Sequence, residues 1–514
     1  MDSPLLSKSI GFSNTNKPMQ LKNLLNIHGK ITWRDCDPSL QASGVFFDTR
    51  ELEPYGVFVA IRGNGADGHK YLSDANARGA YAIVVEDISA VPDFFRGAVV
   101  EVLDSRAALQ ALSQRFYGNP GDRMLSVAVT GTNGKTSFSY ILEHMMNAVG
   151  VPCGVMGTID HHVKEKTWRT SLTTPDPVTL QKRLLDFEEL GAESFVIEAS
   201  SHALKQERIR QGIDIAVFTN FSRDHMDYHP TEEDYFQSKA RLFTKAFNKE
   251  GGKAFGLVNG EDPYGQRIAI VGDRECFTFG ESVNHDFSFE IQSETLSGCD
   301  FKVRFPKSAP WVVNSPLVGR HNVYNTVAAL ATVYLLGFNW QRGAQALRKF
   351  TGIPGRLQHV PNSRGIHAFV DFAHTDEALR SVLTQMKTLG KKAGAGRLIC
   401  VFGCGGDRDR GKRKFMGKVA TELSRHVVVT SDNPRTEDAH KIIDDILDDR
   451  VVDNDNIFVE VDRDLAIAKA VSLCRKGDIL VVAGKGHEKY QTIGVRKMRF
   501  DDVKILGEAL NERN

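Results

Sequence analysis

One segment restricts this chain more than any other. Val127-Ala128-Val129 reads as a buried strand, breaks into Thr130-Gly131-Thr132-Asn133-Gly134-Lys135-Thr136, and is followed by an amphipathic helix from about Ser137. Strand, glycine-bearing turn and helix in that order make a phosphate cradle. Glycine lets backbone N–H groups curl around phosphate oxygens, and the helix N-terminus adds its positive dipole. Lys135 then reaches the outer phosphates and the Thr136 hydroxyl suits magnesium. Gly131, Thr132, Asn133, Gly134, Lys135 and Thr136 are therefore the expected ATP contacts. Val129 stands where the longer G-x-x-x-x-G-K-[ST] loop has its first glycine. The loop is the shorter G-x-x-G-K-T form, which points away from GTPases and motor ATPases.

A loop of this kind needs a mainly parallel α/β sheet, and apolar runs alternating with amphipathic segments extend that pattern along the whole chain. At about 150 residues per domain, 514 residues make three to four domains, and three blocks are separable. Residues 1–104 hold the strand-like runs Gly56 to Ala60 and Tyr81 to Val85, the polar loop Gly63 to His69 and a helical stretch near Tyr71 to Arg78. Residues 105–353 open with a helix, Ser105 to Tyr117, carry the phosphate loop, and end in an Ala/Val/Leu-rich helix, Val323 to Leu336. Residues 354–514 follow the breaker Ile353-Pro354-Gly355-Arg356 and alternate again through Ile399 to Phe402, Val427 to Thr430 and Ile479 to Ala483. Lys+Arg 65 against Asp+Glu 64 leaves +1, with no long single-sign run, so nucleic acid and anionic membranes are not the expected partners. No run of about 18 apolar residues could span a bilayer. Met1 to Gln20 lacks the apolar core of a signal peptide and reads as a loose extension. The seven cysteines include no C-x-x-C pair, which argues against a disulfide framework or zinc site and makes the cytoplasm the expected compartment.

Ser194 to Ile197 is a second buried strand. It delivers Glu198, followed by Ala199-Ser200-Ser201-His202, to the strand edge where open α/β sheets bind ligands. A carboxylate there suits magnesium beside the phosphate loop; alone, it would leave open a strand end that simply faces water. The strand Ala216 to Asn220 exits into Arg223 to His229, which packs two His, two Asp and an Arg into seven residues. His225, flanked by Asp224 and Asp227, is the candidate there. Glu232 to Phe247 then has helical periodicity, with Phe236, Ala240 and Phe243 on one stripe and Lys239 among them. Two readings of Lys239 stay open on spacing alone: a side chain snorkelling to water along its stem, or an amine drawn into a low-dielectric site with depressed basicity.

Thr130 to Thr136, Glu198 to Leu204, Thr219 to Asp227 and the helix bearing Lys239 together resemble the Mur ligases, ATP-dependent enzymes that add amino acids to the UDP-muramyl peptide precursor of bacterial peptidoglycan. The resemblance spans the chain. Asp48-Thr49-Arg50 with Gly56 to Ala60 resembles the family's uridine-nucleotide domain, with Thr49 where Ser is commoner. Gly355-Arg356, Asp371 to Thr375, Gly403 to Asp409, Asp432 to Arg435 and Gly484 to Glu488 resemble its C-terminal domain. The implied architecture has three α/β domains, the central one P-loop ATPase-like and the last Rossmann-like. The implied reaction moves the γ-phosphoryl of ATP to the D-glutamate γ-carboxylate of UDP-MurNAc-L-Ala-D-Glu, and an amine then displaces phosphate. The resemblance further implies that Lys135 neutralises phosphate charge, that Thr136 and Glu198 hold one magnesium, and that His225 and a carbamylated Lys239 (N6-carboxylysine) hold another. It assigns Thr49, Arg50, Thr173, Thr174, Ser200, Gln206 and Arg208 to the UDP-muramyl peptide, and Asn322, Asn325, Arg356, Asp371 and His374 to adenine and ribose. A monomer is the expected state.

Asp432-Asn433-Pro434-Arg435 is the stretch that discriminates amines in the family, and its Arg accompanies meso-diaminopimelate rather than L-lysine. Diaminopimelate is lysine with a second, distal carboxylate, which a guanidinium fork can grip; lysine would present Arg435 with an ammonium. Arg408 matches another carboxylate contact, and Gly484 and Glu488 the distal end of the amino acid. Arg410, Lys412, Arg413 and Lys414 read as a solvated basic face. The remaining alternatives are an L-lysine-adding ligase, a folylpolyglutamate synthase and a nucleotide-binding regulatory scaffold.

Overall fold

The strand Leu125–Thr130, six residues with buried Val and Ala, lies in the middle of an eleven-stranded sheet. The computed structural model describes residues 19–63, 66–451 and 455–511. The polar loop Gly63 to His69 therefore falls partly outside them, as do residues 1–18 of the N-terminal extension. Its last two residues are not loose, because Met19–Gln20 pairs antiparallel with Gln41–Ala42.

Leu125–Thr130 is flanked in parallel by Ser194–Glu198 on one side and Ile215–Phe218 on the other. The chain visits Cys153–Met156 beyond Ser194–Glu198 before returning. The phosphate loop thus leaves the sheet at a topological switch point, where neighbouring crossovers diverge and open a crevice. The parallel block continues through Phe255–Asn259 and Cys276–Gly280. Antiparallel wings extend it: His161–Val163 and Lys166–Trp168 at one edge, and the meander Phe287–Thr295, Gly298–Arg304 and Trp311–Ser315 at the other.

Helix Lys135–Ala148 begins two residues before the expected Ser137, because Gly134, at φ 87°, turns the chain directly into it. Its apolar face, Phe138, Ile141, Leu142, Met145 and Met146, packs on the sheet and on helix Arg320–Leu336 in one core. Arg320–Leu336 is apolar nearly all round, as a helix enclosed on most sides must be, and Gly337 ends it in the left-handed conformation. The stretch expected to be one helix from Glu232 to Phe247 is α-helical only over Glu232–Ala240. It tightens into 3-10 turns at Arg241–Phe243 and Lys245–Phe247.

The N-terminal sheet orders Lys30–Trp33, Ala98–Glu101, Ala82–Val85, Val57–Val59 and Val45–Phe46, the first pair antiparallel and the rest parallel. Helix Ser105–Tyr117 is capped by the Asp104 carboxylate and ended by Gly118. Its Ala108, Leu109 and Leu112 share a core with Val57, Val59, Val84 and Val100. A division at 104/105 therefore cuts through one core, and the seam by packing falls after Tyr117.

The C-terminal sheet orders Gln358–His359, His367–Asp371, Ile479–Ala483, Leu398–Phe402, His426–Val429 and Ile457–Val459, parallel except at its first pair. Helices cover both faces. Leu296 and Val318 of the central domain join one of these cores, so apolar packing runs across the domain seam. The expectation of a solvated basic face fails at Arg413. Its side chain is 1% exposed, with Glu437 and Asp445 at 2.9 and 2.8 Å. A guanidinium is buried here because two carboxylates meet its fork. Arg410 is exposed and pairs with Glu437 at the rim, while Lys412 donates to the His374 carbonyl. All seven cysteines are free thiols, and no helix among the described residues is long and apolar enough to cross a membrane.

Candidate active site at the phosphate loop

The loop after Leu125–Thr130 is held open by side chains from neighbouring strand exits. Asn220 accepts from the Asn133 N–H and donates to its carbonyl at 3.0 and 3.1 Å, and Thr219 donates to the same carbonyl at 2.6 Å. The Thr132 hydroxyl lies 3.1 Å from the Ser222 carbonyl and 3.2 Å from the Tyr235 hydroxyl. Gly131 has no alternative residue: φ is 145° and a Cβ would sit 2.0 Å from Thr219 Oγ1. At Gly134 a Cβ would sit 2.5 Å from Asn325 Oδ1, so Asn325 lies against the loop. Asn322, one turn earlier, donates to the Val318 carbonyl at the same helix start.

Glu198 ends its strand fully buried beside the first turn of helix Lys135–Ala148. Thr136 Oγ1 donates to Glu198 Oε2 at 3.1 Å, and Thr158 donates its hydroxyl at 2.7 Å and its N–H at 3.2 Å. Burial raises the carboxyl above its usual range, while the Thr158 hydrogen bonds and the Lys135 charge oppose it. Around this carboxylate five expected substrate contacts form one network. Thr174 donates to the Glu198 carbonyl at 2.7 Å and lies 3.1 Å from Ser200 Oγ; Thr173 Oγ1 lies 3.1 Å from Thr158 Oγ1. Arg208 donates to the Thr174 carbonyl and to Gln206 Oε1, both at 2.9 Å.

Lys239 does not snorkel to water. It is 1% exposed, and its Nζ donates to the Gly131 carbonyl at 2.8 Å, the same oxygen that Lys135 Nζ meets at 2.9 Å. Two amines on one carbonyl cannot both hold a proton cheaply in a dry site. Burial, then repulsion from Lys135, drive Lys239 well below the ordinary lysine value; Asp224 opposes them. Lys135 is also lowered by burial, with Glu198 and Asp224 pulling the other way. The histidine-rich exit divides in two. His229 is fully buried and structural, bonded to Asp234 at 2.7 Å and Ser201 at 3.0 Å. His225, at φ 55°, is half exposed, its ring edge-on to His202 and 5.9 Å from Tyr235.

The C-terminal domain brings Arg356 within electrostatic reach of Lys135. Its guanidinium lies 5.0 Å from the Phe372 ring centre. Asp371 is buried and accepts from the Leu357 and Ala373 N–H groups at 2.7 and 2.8 Å. His374 bonds the Phe372 carbonyl at 2.9 Å. On the next loops, Arg435 takes φ 51° and donates to the Gly406 carbonyl at 2.7 Å. A Cβ at Gly405 would lie 2.9 Å from the Arg435 guanidinium and 3.8 Å from Arg408 Cγ, so the two arginines flank this glycine. Pro434 presses on Gly406, and Asp432 Oδ2 would lie 2.8 Å from a Cβ at Gly484. Glu488 accepts from Asn433 at 2.8 Å and from the buried Lys485 at 3.1 Å.

Thr49 and Arg50 lie apart from the loop, lining a cleft of about 990 Å³ between the N-terminal and central domains that Gln206 and Arg208 also line. The cleft therefore joins the N-terminal domain to the network around Glu198. Sequence reasoning missed Thr158 and gave Asn220 and Lys485 no role beyond the stretches that contain them. The Gly157-Thr158 pair directly after a buried strand was the available signal for the first.

The fold and this site define an ATP-dependent ligase class, and the chain belongs to the Mur ligase family: the family's middle domain matches residues 129–333, and its glutamate ligase domain matches residues 355–486. Among similar proteins, the UDP-N-acetylmuramoyl-L-alanyl-D-glutamate--2,6-diaminopimelate ligase of Geobacter metallireducens is 40% identical over 493 residues, 92% of this chain and 95% of that protein. The ligase of the same name from Aquifex aeolicus is 38% identical over 471 residues, 91% and 94% of the two chains. A solved structure of a UDP-N-acetylmuramoyl-L-alanyl-D-glutamate--2,6-diaminopimelate ligase superposes with a TM-score of 0.68 at 31% identity, covering 96% of this chain and 99% of that one.

Proposed function

We propose that this chain adds meso-diaminopimelate to the D-glutamate γ-carboxylate of UDP-MurNAc-L-Ala-D-Glu, in the cytoplasm and as a monomer, with ATP as co-substrate. The carrying observation is Arg435 in the Asp432 to Arg435 stretch of a chain similar over 92% of its length to a diaminopimelate ligase. The cleft with Thr49, Arg50, Gln206 and Arg208 suits the UDP-muramyl end, and the network from Arg208 through Thr174 to Glu198 leads the peptide to the phosphate loop.

In the reaction a carboxylate oxygen of D-glutamate attacks the γ-phosphorus, ADP leaves, and an acyl phosphate forms. The amine nitrogen then attacks the acyl carbon, inorganic phosphate leaves, and the nitrogen loses a proton. Lys135 offsets negative charge on the transferring group, and Arg356 adds a second cation from the facing domain; such fixed charges lower the barrier in a dry site. The Thr136 hydroxyl and Glu198 carboxylate, 3.1 Å apart, fit a hard cation. Bound magnesium would neutralise phosphate oxygens there, with His225 and a carboxylated Lys239 suited to a second ion. The depressed basicity of Lys239 supports that modification, since only a neutral amine adds CO2.

With ATP, Mg2+ and UDP-MurNAc-L-Ala-D-Glu, the protein is expected to consume meso-diaminopimelate far faster than L-lysine, releasing one phosphate per amide by product mass. Equal use of both amines refutes the assignment of Arg435. Little phosphate release, with or without amine, makes the chain a scaffold rather than a ligase.

A further inference from the structure

Beyond the residues that face the nucleotide, a buried charged cluster ties the first helix of the site to the turn that holds Glu198. His162 lies between two carboxylates: its Nδ1 is 2.6 Å from Asp160 Oδ1 and its Nε2 is 3.0 Å from Glu143 Oε2. Asp160 Oδ1 also accepts from the Tyr140 hydroxyl at 3.1 Å. The three charged side chains are 11, 16 and 23% exposed for His162, Glu143 and Asp160. Burial opposes a charged imidazole, but the hydrogen bonds to Asp160 and Glu143 outweigh it and raise His162 to about 9. At neutral pH this is an imidazolium donating from both nitrogens.

Tyr140 and Glu143 stand four and seven residues after Thr136 on helix Lys135–Ala148. That spacing puts all three on one face. Asp160 closes the turn that begins at Gly157, whose N–H donates to the Asp160 carbonyl at 3.1 Å. Within this turn, Thr158 supplies two of the hydrogen bonds to Glu198, and Gly157 packs so tightly that a Cβ would meet Glu198 Oε1 at 2.1 Å. One end of the cluster therefore grips the helix that carries Thr136, and the other grips the turn that cradles Glu198.

We propose that Tyr140, Glu143, Asp160 and His162 form a clasp that sets the spacing between the Thr136 hydroxyl and the Glu198 carboxylate, making His162 a positioning residue for the magnesium–nucleotide site. The inference rests on the nucleotide and magnesium part of the function proposed above, not on the choice of amine. Groups that orient metal ligands from behind are worth about 10- to 100-fold in metal affinity. The clasp acts through geometry, so a different cation with two donors in one plane should replace His162.

The test is Mg2+ titration of fluorescent ADP binding to the full chain, without muramyl substrate or amine, alongside thermal unfolding and steady-state kinetics. His162→Gln is expected to raise the half-saturating Mg2+ concentration about 10-fold, leaving Mg2+-free nucleotide binding and KM for the amine unchanged. His162→Arg, which can reach both carboxylates, is expected to recover most of that loss. Asp160→Ala removes the Oδ1 that meets both His162 and Tyr140 and is expected to match His162→Gln, which covers the case in which His162→Gln does not fold. An unchanged Mg2+ dependence in the folded variants, with only a lowered melting temperature, overturns the clasp. Wild-type nucleotide binding that ignores Mg2+ overturns the underlying reading together with it.

Discussion

The central and C-terminal domains each bring charges to a strand edge, yet they build those charges differently. Around the phosphate loop, Glu198 and Lys239 are buried and their polar atoms already engaged, Glu198 with Thr136 and Thr158 and Lys239 with the Gly131 carbonyl. Around Arg435 the backbone sits at φ 51°, the guanidinium is half-buried, and its one side-chain hydrogen bond goes to a backbone carbonyl. The first site invests in fixed electrostatics that any acyl phosphate chemistry needs. The second leaves donors for a ligand to claim, on loops that can differ without disturbing the phosphate loop. Rate and choice of amine should therefore respond separately to mutation.

The largest effect should come from Lys239→Ala. Removing a buried group that faces the phosphate loop is expected to lower kcat about 1000-fold with both diaminopimelate and L-lysine. Bicarbonate should give no rescue, and a small carboxylate that fills the gap should restore part of the rate. Full activity in the mutant would remove Lys239 from the site and dissolve the contrast. Arg435→Lys should act on choice instead. The lost fork to the distal carboxylate is worth about 2 kcal/mol, read as a roughly 30-fold fall in kcat/KM for diaminopimelate with ATP affinity and L-lysine turnover unchanged. A parallel loss for both amines would mean that Arg435 supports the fold rather than the selection.

The sequence was most legible where function and local geometry coincide. Strand, glycine turn and helix around Gly131 to Thr136 are contiguous, so spacing alone located the loop, and the apolar run before Glu198 placed that carboxylate at the right edge. Lys239 was legible only as a conflict between its charge and its stripe, because what resolves it is the Gly131 carbonyl more than a hundred residues away. The helix Ser105–Tyr117 is legible in the sequence as an element, but its allegiance depends on Val57 and Val100 across the core, which periodicity does not encode. The clasp was invisible for the same reason: Glu143 and His162 belong to different elements and meet only once the sheet edge folds back on the helix. The antiparallel wings are not legible in the sequence, because alternation marks a strand without naming its neighbour.

The smallest effect separates two neighbours that composition makes equivalent. Arg410 is exposed, whereas Arg413 lies buried between Glu437 and Asp445. Arg413→Ala leaves carboxylates facing a void and is expected to cost about 2 kcal/mol by urea unfolding, below the usual cost of breaking a buried pair because Asp445 touches water. Arg410→Ala is expected to stay within about 0.5 kcal/mol. The pH dependence follows from Glu437, which the Arg413 hydrogen bonds draw down to about 2 from 4.5. A carboxylate with a depressed folded value adds stability that is complete above its unfolded value and disappears as pH falls through the folded one. The gap between wild type and Arg413→Ala should therefore be constant above pH 4.5 and close as pH falls toward 2. A gap that persists unchanged to pH 2 would assign Arg413's contribution to packing of its stem rather than to its charge.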